Sequence, residues 1–204
     1  MITESTLAKL REDIKDFING KRLSHTYAVE DEIARLGEML GFCSDDVLRM
    51  RAAALLHDVT KQLTKDEQIA LCKENSIPLT EDETSSPKTL HAITGAFVAK
   101  QRFPEIADDE IVSAIRYHTT GKADMSLFEK LLYLADYIEA TRDFSDCVTL
   151  RNYFYSAKAD ILHLNRTLLI SYDMTLKILI EEGARIHPLT CEARNSIIRE
   201  LSNT

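Results

Sequence analysis

Six glycines and four prolines in 204 residues leave this chain few places to turn sharply. Average usage, about 7% Gly and 5% Pro, would supply roughly twice as many. Tight turns and hairpins draw on these residues, so their shortage favours long helices over a meander of strands. The apolar spacing agrees. Leu7, Leu10, Ile14, Phe17 and Ile18 fall at helical steps, and His25, Val29, Ile33, Leu36 and Leu40 do the same, with Gly41 as a stop. A third helix is expected over about residues 44–59, with Ser44 as its cap and the apolar stretch 52–56 near its end. Thr64 and Glu67 form a capping box for a short fourth helix. Residues 76–87, with Pro78, Pro87 and an acidic 81–83 run, read as a polar, solvated loop. Further helices are expected over 88–102, from the acidic turn at Asp108, from Ser126 to about Arg142, over about 157–182, and after the 183–188 loop. The pattern predicts an all-α fold, one helical bundle over residues 1–204.

Bulk properties narrow the function. With 45% apolar and 28% charged residues, the chain is expected to be an ordinary globular protein. It carries 25 Lys and Arg against 33 Asp and Glu, a formal charge of −8, which speaks against broad binding to nucleic acid or an anionic membrane. A local cationic pocket for a small anion remains compatible with that total. No G-x-x-x-x-G-K-[ST] and no G-x-G-x-x-G occurs, so neither glycine-rich phosphate cradle is present. Cys43, Cys72, Cys147 and Cys191 form no C-x-x-C pair, which argues against a disulfide framework and suits a reducing cytosol. Residues 1–17 lack the apolar core of a signal peptide, and no apolar run nears the ~18 residues of a membrane span. A cytoplasmic protein is expected.

The histidines then stand out. His25, His57, His91 and His118 fall on or beside apolar helix faces, and Asp136 shares a face with Leu132, Tyr133 and Ala140. A buried carboxylate needs a partner, which could be Lys, Arg, a backbone cap or a metal. Each histidine alone is an ordinary core or surface residue. As a set, four His with Asp58 and Asp136 on five helices match the imidazole and carboxylate donors of a transition-metal site. His163, between Leu162 and Leu164, reads as structural or exposed, and His187 as a turn residue able to line a pocket.

The order of motifs carries a resemblance. Arg22-x-x-His25, Leu56-His57-Asp58-x-x-Lys61, His91, Tyr117-His118-Thr119-Thr120-Gly121 and Ala135-Asp136-Tyr137-Ile138-Glu139-x-x-Arg142 resemble the HD-domain phosphohydrolases. More closely, they are similar to the YqeK family of symmetrical diadenosine tetraphosphate hydrolases. The ordered motifs lie between residues 20 and 145, and Ile186-His187-Pro188 with Ala193-Arg194-Asn195 extends the likeness to the C-terminal helices. The resemblance implies an HD-domain helical bundle, a centre of one or two transition-metal ions often occupied by iron, and cleavage of the tetraphosphate into two ADP.

Matched residue by residue, it assigns His25, His57, Asp58, His91, His118 and Asp136 as metal ligands, with Asp58 as the natural bridge. His91 and His118 could instead contact phosphate. The nucleophile is then a metal-bound hydroxide rather than a side chain. Catalysis would rest on Asp58, Lys61, His91 and His118. Arg22, Lys61 and Arg142 lie close to ligand positions in sequence and suit phosphate. Thr119 and Thr120 could donate hydroxyls, and Gly121 permits a tight turn. Gly183, Ala184, Arg185 and Ile186 would wall the adenosine or distal phosphate, beside the same His25, Asp58, His91, His118 and Asp136. Donors of N and O alone also accept manganese, cobalt or zinc. A dinucleoside polyphosphate or an ADP-like nucleotide is the expected partner, and a homodimer is compatible. The alternatives are another nucleotide phosphohydrolase or phosphodiesterase on the same scaffold, and a non-catalytic, metal-stabilised nucleotide-binding module.

Overall fold

The computed structural model describes residues 1–203 as eleven α-helices, with no strand among them. In chain order they are α1 (Glu4–Asp13), α2 (Gly20–Met39), α3 (Ser44–Leu56), α4 (Lys65–Glu74), α5 (Glu81–Ser85), α6 (Pro87–Arg102), α7 (Asp109–Tyr117), α8 (Leu127–Ile138), α9 (Ser145–Tyr155), α10 (Ile161–Glu181) and α11 (Pro188–Ser202). None of these helices is long and apolar enough to cross a membrane.

Several boundaries follow the expected caps. Thr64 with Glu67 and Ser126 with Glu129 form complete capping boxes, and the Asp108 side chain accepts from the backbone of Glu110 and Ile111. Four boundaries correct the sequence reading. Cys43, not Ser44, is the cap of α3, and α3 ends at Leu56. The 76–87 segment is not all loop, because Thr80 and Glu83 make a third capping box that starts α5. Residues 145–155 form α9, whose Cys147, Leu150 and Phe154 repeat at helical steps and are buried. Helix α8 stops at Ile138, so Ala140 does not share its face. There the Glu139 carboxylate turns back to accept from the Thr141 backbone and hydroxyl at 2.5 and 2.7 Å.

The core is built where α2, α3, α7 and α8 meet. Val29, Ile33 and Leu36 of α2 face Ala52–Leu56 of α3, with Ile111, Ala114 and Ile115 of α7 and Leu131, Leu134 and Ile138 of α8. All are essentially buried, each large one stabilising by about 1.5–3 kcal/mol. Charged side chains tie the outer helices down. Glu30 of α2 is buried and accepts from both Arg11 and Arg51, at 2.5 and 3.1 Å. Lys130 of α8 is buried and donates to Asn165 of α10 and Glu200 of α11.

Two glycines place chain segments that matter below. Gly95 brings α6 against the end of α3, since a Cβ there would sit 3.2 Å from the His57 carbonyl. Gly121, at φ +67°, lets the loop after α7 press on α10 and α11. A Cβ at that position would overlap the Tyr172 hydroxyl and lie 2.8 Å from the Ala193 methyl. Gly121→Ala is therefore expected to cost about 2–5 kcal/mol, combining the left-handed backbone with overpacking. Thermal melts should show a fall in Tm of roughly 5–15 °C; an unshifted melt would contradict this packing.

Candidate metal centre

Five helices deliver the charged and imidazole groups to one point. His25 projects from α2, His91 from α6 and Asp136 from α8, while His57 and His118 are the C-terminal caps of α3 and α7. Asp58 follows on a tight turn. Because α3 ends at Leu56, Lys61 does not reach the site along a helical edge. It does so because the 58–63 turn folds back, its backbone N–H donating to the Asp58 carbonyl at 2.9 Å. Thr60 pins this turn to α6 by donating to the His91 carbonyl at 2.9 Å.

Asp58 is the hub. Its Oδ2 lies 3.4 Å from His57 Nε2 and 3.8 Å from His25 Nε2. Its Oδ1 lies 3.2 Å from His91 Nε2 and 3.7 Å from His118 Nε2. Asp136 Oδ1 closes the first group, 3.0 Å from His25 Nε2 and 3.8 Å from His57 Nε2. One carboxylate thus faces two imidazole pairs with two different oxygens, so the six expected residues form two adjoining half-sites.

The outer partners aim these rings. His57 Nδ1 pairs with the Ala54 carbonyl at 2.6 Å, His118 Nδ1 with the Ile115 carbonyl at 2.7 Å, and His25 Nδ1 with Glu139 Oε1 at 3.0 Å. Hydrogen on Nδ1 leaves the Nε2 lone pairs directed inward, as a ligating histidine requires. His25 Nε2, His57 Nε2 and Asp58 Oδ1 are buried yet have no hydrogen-bond partner. Each such orphan costs about 1–3 kcal/mol. A cation in each half-site satisfies them, one at the His25 and His57 nitrogens and one at Asp58 Oδ1, and three overlapping His and Asp groups converge closely enough to hold such an ion. The residues present therefore fit a divalent metal, with N and O donors only.

The electrostatics match. Burial opposes ionisation of Asp58, but His57 and His91 outweigh it and hold the carboxyl well below its usual range. Burial likewise opposes ionisation of Asp136, and Arg142 outweighs it. Burial, then His91 and His57, press His118 down to about 3, keeping its imidazole neutral, as a ligand would have to be. At His25 burial opposes a charge, yet the Asp136 and Glu139 carboxylates prevail and raise it to about 9, so a cation binding there must displace a proton from Nε2.

Cations surround the acidic centre. Arg22 Nη1 donates to Asp58 Oδ2 and Arg142 Nη2 to Asp136 Oδ1, both at 2.6 Å. Arg142 Nε is buried and has no partner, so this guanidinium has a free donor. Lys61 Nζ sits 3.0 Å from His91 Nε2, and Thr119 Oγ1 lies 3.3 and 3.2 Å from the Nε2 atoms of His91 and His118. Thr120 is turned away, donating to the Gly121 carbonyl.

A cleft of 400 Å³ runs over the centre, lined by Arg22, Asp58, Lys61, His118, Asp136 and Arg142 among others. It shares Lys88, Thr119 and Thr175 with a cavity of 330 Å³ walled by Leu179, Ala184, Arg185 and His187. Ala184 and Arg185 thus lie where the sequence placed a wall. Gly183 and Ile186 do not line it; Gly183 closes α10, and its N–H donates to the Ile180 carbonyl at 3.1 Å. The acidic 81–83 run is no solvated loop. Arg185 binds Glu81 and Asp82 at 3.4 and 2.8 Å, and buried Glu83 pairs with Arg116. His187 caps α11 beside the cavity, and buried His163 bonds the Phe154 carbonyl at 2.9 Å, a structural role.

Sequence reasoning missed Lys88, Thr175 and Leu179 as pocket walls, and it missed Arg151. Lys88 lies three residues before His91, a spacing that signals a shared helix face. Thr175 and Leu179 meet the site only through the docking of α10. Arg151 of α9 donates to the carbonyls of Ile138 and Arg142 at 2.5 and 2.7 Å, and to that of Glu139. It thereby fixes the loop that carries Glu139 and Arg142.

A family model described as the HD domain matches residues 22–141, the span that contains every residue of the centre. The chain is 31% identical to the symmetrical bis(5'-nucleosyl)-tetraphosphatase of Halalkalibacterium halodurans over 92% of its own length and 94% of the relative's. It is 31% identical to the protein of the same name from Bacillus subtilis, over 91% and 94%. A crystal structure of a "predicted HD superfamily hydrolase involved in NAD metabolism" from Clostridium acetobutylicum superimposes with a TM-score of 0.82. It shares 33% identity, over 95% of this chain and 97% of that one.

Proposed function

This chain belongs to the HD-domain family, and from that membership and the centre above we propose that it is a metal-dependent hydrolase cleaving diadenosine tetraphosphate symmetrically into two ADP. The observation that carries the reading is the pair of Asp58 oxygens, each facing its own histidines beneath a cleft rimmed by Arg22, Lys61 and Arg142. His25, His57, Asp58 and Asp136 would hold one ion, and Asp58 with His91 and His118 a second. We take iron as the resident metal, the ion the family resemblance implies and one that imidazole and carboxylate donors accept. Manganese, cobalt and zinc are its competitors. The ions supply Lewis-acid charge and an activated water.

The chain's own groups do the rest. Tetraphosphate brings several negative charges into the cleft, and Arg22, Lys61 and Arg142 neutralise them where they converge. Arg142, whose Nη2 keeps Asp136 in place, also lines the cleft, where its guanidinium gives a phosphate oxygen a charge-assisted bond. Thr119 lines the cleft beside His91 and His118, where its hydroxyl can orient water or a phosphoryl oxygen. The 330 Å³ cavity is large enough to enclose one nucleoside between Leu179, Ala184 and Arg185. Addition of water across the central anhydride leaves ADP on each side, the water oxygen ending on one β-phosphate and the other ADP departing as an anion. We treat residues 1–204 as a single domain, a reading supported by a main hydrophobic core drawn from both α1 and α11, beside a small satellite of Cys72, Leu90 and Ile93.

Elemental analysis of the purified protein and a substrate panel test the proposal together. Bound iron and fastest turnover on dinucleoside tetraphosphates are expected. A metal-free protein, or a preference for cyclic nucleotides or mononucleotides, would move the chain to another activity.

A further inference from the structure

A dinucleoside tetraphosphate carries a nucleoside on both sides of its central bond, and the cavity beside Leu179 receives only one. The cleft has a second outlet. Arg22 and Arg142 line both the cleft and a shallower recess of 190 Å³, whose other walls include His25, Glu139, Thr141 and Phe144. This recess lies on the α2 and α8–α9 side of the centre, whereas the 330 Å³ cavity lies on the α6 and α10 side.

Phe144 is the unusual wall. It is 64% exposed, in a protein whose other phenylalanines and core aliphatic residues are largely covered. Other large exposed apolar side chains among the described residues, Met1, Met39, Ile161, Ile178 and Ile180, line neither the cleft nor its outlets. Nor is Phe144 at a frayed tip. Its carbonyl accepts from Val148 at 2.9 Å as α9 begins, and Arg151 clamps the carbonyls just before it. An aromatic ring is thus exposed to water at the edge of the cleft, beside Lys21, Arg22 and Arg142.

We propose that Phe144 is a stacking platform for the second base of the dinucleoside tetraphosphate, with Arg22 and Arg142 holding the phosphates between that base and the centre. The proposal rests on the tetraphosphatase reading and adds the distal half of its substrate site. Size sets the mode of binding. Enclosing a drug-sized ligand takes about 300–1,000 Å³, and this recess offers 190 Å³, so the base lies on the ring with its outer face in water. Stacking of that kind is tolerant of base identity, because every base has a π-face. The deeper 330 Å³ cavity therefore selects one nucleoside while the platform accepts various second ones.

Steady-state kinetics of the metal-loaded protein test this with F144A and F144W. In F144A the KM for diadenosine tetraphosphate should rise about tenfold, the scale of a lost base–aromatic stack, and F144W should restore it. The KM for adenosine 5'-tetraphosphate, whose single nucleoside can use the deeper cavity, should change less than about twofold. An equal rise for both substrates would make Phe144 a support for the phosphate site and overturn the platform. So would an unchanged KM for the dinucleotide in F144A, or a change of oligomeric state on gel filtration that assigns the ring to a contact between copies. A wild-type protein that cleaves neither substrate overturns the tetraphosphatase reading and the platform with it.

Discussion

Changing Asp58 to asparagine is expected to empty the centre of metal and to lower turnover by about 10³-fold or more. The reason is geometric and electrostatic together. Asp58 presents one oxygen to His25 and His57 and the other to His91 and His118. An amide keeps the shape, but one acceptor becomes an NH₂ directed at imidazole lone pairs, and the charge disappears. Both half-sites therefore lose a ligand through a single substitution. The helices should survive, because Asp58 sits on the turn after α3 and the surrounding core is apolar. Metal content, circular dichroism and kcat measured on one preparation separate these effects. A folded variant that retains its metal and turns over within tenfold of wild type would contradict the hub assignment.

Arg142 should fail differently. Arg142→Ala is expected to reduce kcat/KM about 10²-fold, with bound metal retained. Lysine at the same position should recover little of it. The guanidinium does two jobs at once, with Nη2 on Asp136 and its charge on the wall of the phosphate cleft. A lysine ammonium is a single point charge and can stand in only one of those places. Arg151 strengthens the argument, since its bond to the Arg142 carbonyl fixes the backbone from which the side chain reaches. Full rescue by lysine would show that only net charge matters there. Loss of metal in Arg142→Ala would show that the residue supports the ligands rather than the phosphate.

Much of this was legible in the sequence for a local reason. Helix periodicity and capping boxes are written within a few residues, and the same is true of His57-Asp58 and Tyr117-His118-Thr119. The missed α5 had the same kind of signal, since Thr80 and Glu83 repeat the Thr64 and Glu67 pattern; the prolines and acidic run around it masked the box. The missed α9 begins just after a helix end that the Glu139 carboxylate creates, and such a turn has no periodic signature. The pocket walls were harder. Thr175, Leu179 and His187 become neighbours of Thr119 only when α10 and α11 dock behind the Gly121 loop. Lys88 was readable from its spacing to His91, whereas Arg151 acts through backbone carbonyls, which carry no side-chain motif.

Product identity after limited turnover of diadenosine tetraphosphate by the metal-loaded protein is the most direct test. The metal centre, with a nucleoside-sized cavity on one side and the Phe144 recess on the other, predicts ADP as the sole nucleotide product, two for each tetraphosphate consumed. Equimolar AMP and ATP, or no turnover with iron, manganese, cobalt or zinc, would contradict it.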